Sequence, residues 1–290
     1  MKITVWGGSG FLGSHVCDAL TNNGHDVTIA DIKVSKYLKK NQTMFVGDIL
    51  SKQDVKKSLD GSEIVFNFAG IADINEANND PELSANNNII GCINLLNCCN
   101  KLEGFKKFIL ASTLYVNSKS GGFYRCSKQS AESYVKEFHK QNNLPFLILR
   151  FGSLYGTRSG NNNGIYKFLS DAIANNAINY SGNEESRREY IYAEDAADIC
   201  VDLIKSGITN EIYTLSGTSS ISMKDLFALI SEILGKEIKY KYLQSDDNES
   251  FHYHITPYNY EEETSKKYTM PVHTDLGEGL LKVISEIKKN

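Results

Sequence analysis

Two residues able to exchange protons stand four apart in the segment FYRCSK: Tyr124 and Lys128. On a helix that spacing puts both on one face. A lysine cation there lowers the proton affinity of the phenol, so that the tyrosine can act as a base near neutral pH. With sixteen tyrosines in the chain, a Tyr-x-x-x-Lys match is common, and alone it reads as an amphipathic surface pair. Its position raises it. The helix follows the apolar run FILAST, whose end would present the hydroxyls of Ser112 and Thr113 at the carboxyl edge of a sheet. In doubly wound α/β folds, ligands bind at that edge.

A second constellation opens the chain. Residues 6–13 read WGGSGFLG, with four glycines directly after the apolar run KITV. They contain Gly8-x-Gly10-x-x-Gly13 and Gly7-x-x-Gly10-x-x-Gly13. Between a strand and a helix, such glycines make a tight turn, admit a pyrophosphate to the backbone and let helix and strand pack closely. The helix N-terminus adds unpaired N–H groups and a positive dipole end. Asp31 closes the second expected strand, eighteen residues beyond Gly13. A carboxylate there accepts hydrogen bonds from both ribose hydroxyls and repels a 2′-phosphate, so the pattern predicts NAD rather than NADP.

The elements that must position these residues follow from periodicity. Strands are expected at 2–6, 26–31, 43–47, 63–69, 106–112 and 145–152, with helices at 11–23, 51–59, 81–102 and 122–142. Several strands are nearly continuous in Val, Ile, Leu and Phe, as in a parallel sheet covered on both faces. The alternation predicts a doubly wound parallel sheet. After about residue 155 the pattern changes. A Gly/Asn loop (156–164) leads to a helix (165–175), a strand (177–181), a helix (194–206) and a strand (211–215). A helix (222–234), the strand EIKYKYL and a terminal helix (273–288) follow. The expected organisation is a cofactor-binding domain over 1–155 carrying the catalytic residues, and a smaller interleaved α/β region over 156–290 for the substrate.

Composition narrows the class. The 290 residues are 41% hydrophobic and 23% charged, with a net charge of −4. That balance gives no electrostatic reason to expect nucleic acid or an acidic membrane. No apolar run approaches the ~20 residues that span a bilayer, and the N-terminus starts a strand without a signal-peptide pattern. The six cysteines form no C-x-x-C pair and read as reduced thiols of a cytoplasmic protein. His252 and His254 alternate as two ligands on one strand face would, but no third ligand accompanies them, and no metal is expected.

Nearly end to end, the chain resembles the extended short-chain dehydrogenase/reductase superfamily, in its NAD-dependent nucleotide-sugar epimerase/dehydratase branch. The resemblance is carried by GGSGFLGSH, the acidic end of the second strand, GDI at 47–49, NFAG at 67–70 and NNIIGCINLL at 87–96. It continues through AST at 111–113, YRCSK, LRFGSLYG at 149–156, RREYIYAEDAA at 187–197 and TDLGEGL at 274–280. It implies that Gly7, Gly10, Phe11, Leu12, Gly13 and Asp31 hold NAD, that Asp48 and Ile49 flank the adenine, and that Ala69 and Gly70 line the cofactor. It makes Tyr124 the base, Lys128 its partner and a ligand of the nicotinamide ribose, and Thr113 the hydrogen-bond partner of the reacting hydroxyl. Ser112, Ser153 and Arg188 fall to the substrate, with Arg188 near the nucleotide diphosphate.

The chain also departs from the branch. Only ten residues separate Thr113 from Tyr124, where the relatives usually carry a longer insertion, so the pocket is expected to be more open. Leu114 and Tyr115 stand where dehydratases of the branch have an Asp-Glu pair, which argues against 4,6-dehydration. Ser153 replaces the branch's Asn. The resulting expectation is a homodimeric nucleotide-sugar 4-epimerase working by transient oxidation at C4. A C4 dehydrogenase or ketoreductase is the alternative with the same residues, and an NAD-sensing or scaffolding relative is the non-enzymatic one. The nucleotide and the sugar stay open.

Overall fold

The computed structural model describes residues 1–243 together with Ile255 and Pro257; the helix expected at 273–288, the TDLGEGL segment, His252 and His254 lie outside the described residues. In chain order the first elements are β1 (Lys2–Trp6), α1 (Phe11–Asn22), β2 (Asp26–Asp31), β3 (Gln42–Val46), α2 (Lys52–Ser58) and β4 (Ile64–Asn67). Then come α3 (Ile74–Asn79), α4 (Pro81–Ala85), a π-helical turn (Asn86–Ile90) and α5 (Gly91–Cys99). After β5 (Lys107–Thr113) the chain runs through a 3-10 turn (Leu114–Asn117), α6 (Gly122–Asn142), β6 (Phe146–Phe151) and β7 (Ser153–Tyr155). The rest is α7 (Gly164–Asn175), β8 (Ala177–Ser181), β9 (Arg187–Tyr192), α8 (Ala193–Lys205), β10 (Glu211–Leu215), β11 (Ser220–Ser222), α9 (Met223–Leu234) and β12 (Lys239–Leu243).

Seven strands form one parallel sheet in the order β10-β6-β5-β4-β1-β2-β3. Alternation along each strand feeds two cores. Ile3 and Val5 of β1, Ile109 of β5 and Leu147 and Leu149 of β6 pack with α1 and α8 on one face. Trp6, Val65, Phe108, Leu110 and Ile148 pack with α2, α5 and α6 on the other. Burial on both faces is why these strands read as unbroken apolar runs. β10, from beyond residue 155, pairs with β6 at the sheet edge, and α8 packs beside α1. Two small sheets, β11-β9-β7 and β12-β8, lie with α7 and α9 around Phe168, Ile178 and Phe227.

Two expectations shift. The strand expected over 63–69 is paired only over Ile64–Asn67, after which the chain enters the loop 68–71. The helix expected over 81–102 is interrupted by the π turn and ends at Cys99. A π turn inserts one extra residue into a helix. Here it accompanies Asn88, whose Oδ1 accepts from the Ile71 amide at 2.7 Å and whose Nδ2 donates to the Ile71 carbonyl at 3.0 Å.

Candidate active site

Strand order reverses between β1 and β4, and the crevice at their carboxyl ends is where a doubly wound sheet takes its ligand. The cleft found there is lined by Trp6 at the end of β1 with Gly7 and Gly10 beyond it, by Asp31 at the end of β2 with Ile32 beyond it, and by Ile49 after β3. Phe68, Ala69, Gly70, Ile71 and Asn87 complete it. The glycines are needed because backbones meet. A Cβ on Gly7, which has φ +78°, would lie 2.4 Å from the Ala69 nitrogen, and one on Gly13 would lie 2.3 Å from the Gly7 carbonyl oxygen. Both positions are closed to any side chain. Gly10 is the N-cap of α1 and offers no side-chain cap, which leaves the helix's first N–H groups to a ligand. Asp31 is pre-oriented: Oδ2 accepts from the Ser9 amide at 3.1 Å and Oδ1 from the Lys33 amide at 3.2 Å. This cradle and its carboxylate fit a dinucleotide.

The other expected cofactor residues divide. Ile49, Ala69 and Gly70 line the cleft. Asp48 is exposed, and its Oδ1 accepts from the Leu50 amide at 2.9 Å, so its side chain shapes the turn that presents Ile49. Leu12 faces the core, and Phe11 sets its ring against that of His15.

The pair expected to transfer protons lies on α6. Tyr124 is 9% exposed and Lys128 7% exposed, one turn apart, with Lys128 Nζ 6.0 Å from the centre of the Tyr124 ring. Lys128 Nζ donates to the Ala111 carbonyl at 3.0 Å, which ties α6 to the end of β5. Burial pushes the lysine down to about 8, with Cys92 and Glu132 opposing. A lysine titrating near 8 sits close to working pH, as a group assisting proton transfer must.

Thr113 caps the 3-10 turn, its Oγ1 accepting from the Tyr115 amide at 3.3 Å. Leu114 is fully buried and Tyr115 sets its ring edge against Tyr124 at 6.2 Å. The short connection is held by its own bonds. Gln129 donates to the Val116 carbonyl at 2.9 Å and Arg125 to the Ser118 carbonyl at 2.9 Å. It turns into α6 through Gly121 and Gly122, both at positive φ.

Neighbours on a strand face opposite ways: Thr113 ends β5 on one face, and Ser112, 4% exposed, donates its hydroxyl to Glu132 Oε1 at 2.6 Å on the other. Ser153 and Arg188 come together on the small sheet: β7 and β9 run parallel with Ser153 opposite Tyr190, two residues from Arg188. The three therefore share a face. Arg188 is 8% exposed, and its Nη1 donates to the Arg187 carbonyl at 3.0 Å.

Sequence reasoning missed Asn88 and Glu132. Asn88 is 2% exposed and joins the cleft loop to α6, its Nδ2 also donating to Ser127 Oγ at 2.8 Å. Both are polar residues on faces that must be buried, and that mismatch was the available signal.

Comparison with known proteins gives the family. A sequence model described as the NAD dependent epimerase/dehydratase family matches residues 3–216. A putative UDP-glucose 4-epimerase of Methanocaldococcus jannaschii is 26% identical, with 99% of each chain covered. A dTDP-D-glucose 4,6-dehydratase of Mus musculus is also 26% identical, over 80% of this chain and 73% of its own length. The crystal structure of a Bacillus cereus UDP-glucuronic acid 4-epimerase, in complex with UDP-glucuronic acid and NAD, superimposes with a TM-score of 0.78. It is 26% identical, and 84% of this chain and 87% of that one are covered.

Proposed function

The chain belongs to the NAD-dependent epimerase/dehydratase family, and from that premise we propose that it is a nucleotide-sugar 4-epimerase. The observation that carries the reading is the Tyr124–Lys128 pair, buried on one face of α6 and anchored to β5 through Ala111. Tyr124, ionised with the help of the Lys128 cation, takes the proton from the C4 hydroxyl of the sugar and later gives it back. Thr113, at the end of β5, orients that oxygen. The glycine loop and Asp31 hold NAD by its pyrophosphate and adenosine ribose, with Ile49, Ala69 and Gly70 along its length, and Lys128 reaches the nicotinamide ribose. Bound NAD supplies the acceptor that removes hydride from C4 and the donor that returns it to the opposite face.

Ser153 and Arg188, brought to one face by the pairing of β7 with β9, are assigned to the substrate, with Arg188 toward its diphosphate. Residues 156–290 would mainly serve that half of the site. The names of the relatives make UDP sugars the first candidates. Dehydration is disfavoured because Leu114 and Tyr115 offer no carboxyl group beside Thr113: one is fully buried and the other packs on Tyr124. The test is incubation with a panel of UDP and dTDP sugars, followed by proton NMR at C4. Inversion at C4 is expected with at least one; none inverted, with NAD bound, would reject the reading.

The same reading includes a homodimer. Phe123 and Tyr134, eleven residues apart and so on one face of α6, are 52% and 44% exposed, and Ile90 beside α5 is 46% exposed. Apolar groups of this size on neighbouring helices fit a two-fold helical interface. Leu95 and Leu96 of α5 belong to the chain's own core. All six cysteines are free thiols, which supports a cytoplasmic site of action.

A further inference from the structure

Behind the proton-transfer pair lies a charged cluster with no part in the mechanism above. Glu132, on α6 one turn beyond Lys128, is 2% exposed. Its Oε1 accepts from Ser112 Oγ at 2.6 Å and from Arg150 Nε at 2.9 Å, and its Oε2 from Arg150 Nη2 at 2.7 Å. Arg150 Nη1 donates in turn to Asn117 Oδ1 at 3.0 Å, in the turn that follows Thr113. Ser112 and Arg150 are register partners on β5 and β6, and so present their side chains to the same face. A buried ion pair is weak evidence for stability, since well-packed apolar groups serve as well or better. Its position beside Lys128 points elsewhere.

We propose that Glu132 is a positioning residue for the reaction: clamped by Arg150 and Ser112 one turn beyond Lys128 on α6, its carboxylate favours the charged form of the Lys128 ammonium beside Tyr124. This rests on the 4-epimerase reading for its catalytic consequence, but the electrostatics do not.

The groups facing each partner can be named. Lys128 faces Tyr124 on its own helix and donates to the Ala111 carbonyl of β5; Glu132, one turn on along α6, and Cys92 of α5 bear on it electrostatically. Burial raises the Cys92 thiol to about 12, so it is neutral at working pH, and the sustained negative charge comes from Glu132. Glu132 meets Lys136 on α6, Ser112 from β5 and Arg150 from β6; Lys136 Nζ lies 3.6 Å from Oε2. The clamp supplies three close donors, and Lys128 is held independently by Ala111. The carboxylate and the ammonium are thus each tied to β5 at adjacent residues, through the Ser112 hydroxyl and the Ala111 carbonyl.

The two halves of the clamp have opposite electrical effects, which separates tuning from scaffolding. Glu132→Gln removes the negative charge and leaves the Arg150 cation unpaired, and both changes favour loss of the Lys128 proton. Arg150→Gln leaves the Glu132 carboxylate uncompensated and favours its retention. The test is the pH profile of kcat/KM for the NAD-loaded protein. It is paired with titration of the ultraviolet tyrosinate band, taken as the difference from the same background carrying Tyr124→Phe.

Glu132→Gln is expected to move the alkaline limb down by about one pH unit and the Tyr124 titration up. Arg150→Gln is expected to move the limb upward. Glu132→Asp, which keeps the charge, should stay near wild type and controls for a failure of Glu132→Gln to fold. Movement of both Gln variants in one direction, or an unshifted limb and tyrosinate titration in Glu132→Gln, overturns the proposal. The tyrosinate readout needs no substrate. A protein that inverts no sugar would therefore refute the epimerase reading, while the Tyr124 titration still decides the role of Glu132.

Discussion

Replacing Lys128 with methionine should make the NAD-free protein more stable while abolishing its activity. The side chain is 7% exposed and is pushed from 10.5 to about 8, chiefly by burial. The difference, 10.5 less about 8, corresponds to about 3 kcal/mol of penalty for holding the ammonium in the native state. Methionine matches the length and carries no charge. The replacement leaves the Ala111 carbonyl without its donor, which returns about 1 kcal/mol or more. Glu132 keeps Arg150 and Ser112. The net gain near neutral pH is on the order of 1–2 kcal/mol, or roughly 2–8 °C in melting temperature for a chain of this size.

The pH dependence fixes the sign. Below about 8 the lysine is protonated in both native and unfolded states, and the wild type carries the whole penalty. Between about 8 and 10.5 the native state has lost the proton that the unfolded state still binds, so wild-type stability rises with pH. The gap between the two proteins should therefore close across that window. Thermal unfolding of both, followed by circular dichroism in a pH series, measures it. The buried thiols Cys17 and Cys200, whose ionisation is also opposed by burial, are common to both proteins and cancel in the difference. A variant less stable than wild type near neutral pH, or a gap that does not change with pH, would refute the reasoning.

Tyr124→Phe should keep the fold and NAD affinity and lower kcat by about 10²–10⁴-fold or more; near-normal turnover would mean that the base is another residue. Gly13→Ala sets a Cβ 2.3 Å from the Gly7 carbonyl and 3.0 Å from Gly8 Cα, all backbone. It should cost about 1–3 kcal/mol of stability and weaken NAD binding by calorimetry, and unchanged affinity would remove the glycine loop from the cofactor site. Sedimentation at micromolar concentration should show a dimer, and Phe123→Glu with Tyr134→Glu should give monomers; a wild-type monomer would end the dimer proposal.

Much of this was legible because the signals are local. The glycine loop, Asp31 and the Tyr124–Lys128 spacing are read within a few residues, and continuous apolar strands announce a sheet buried on both sides. The small sheet was not legible: β7 is three residues long, and β9 reads RREYIY, too polar for a strand pattern. Both exist because they pair with each other, and β9 also with β11. The π turn at 86–90 leaves no periodic trace, since its one extra residue is visible only in hydrogen bonding. Ser112 was assigned to substrate because it adjoins Thr113. Its hydrogen bond to Glu132, an acceptor on another element, is visible only in the fold. The Glu132–Arg150 pair joins α6 to β6, and only the fold shows that two charges eighteen residues apart meet.

The central claim is that hydride taken from the sugar is returned before product leaves. With a sugar nucleotide that the enzyme turns over, NADH absorbance and product mass should be followed together. The account predicts NAD(H) carried by the purified protein, no net NADH over many turnovers, and a product of unchanged mass. NADH accumulating in step with a product two hydrogens lighter would contradict it and make the protein a C4 dehydrogenase; a product lighter by one water would make it a dehydratase despite Leu114 and Tyr115.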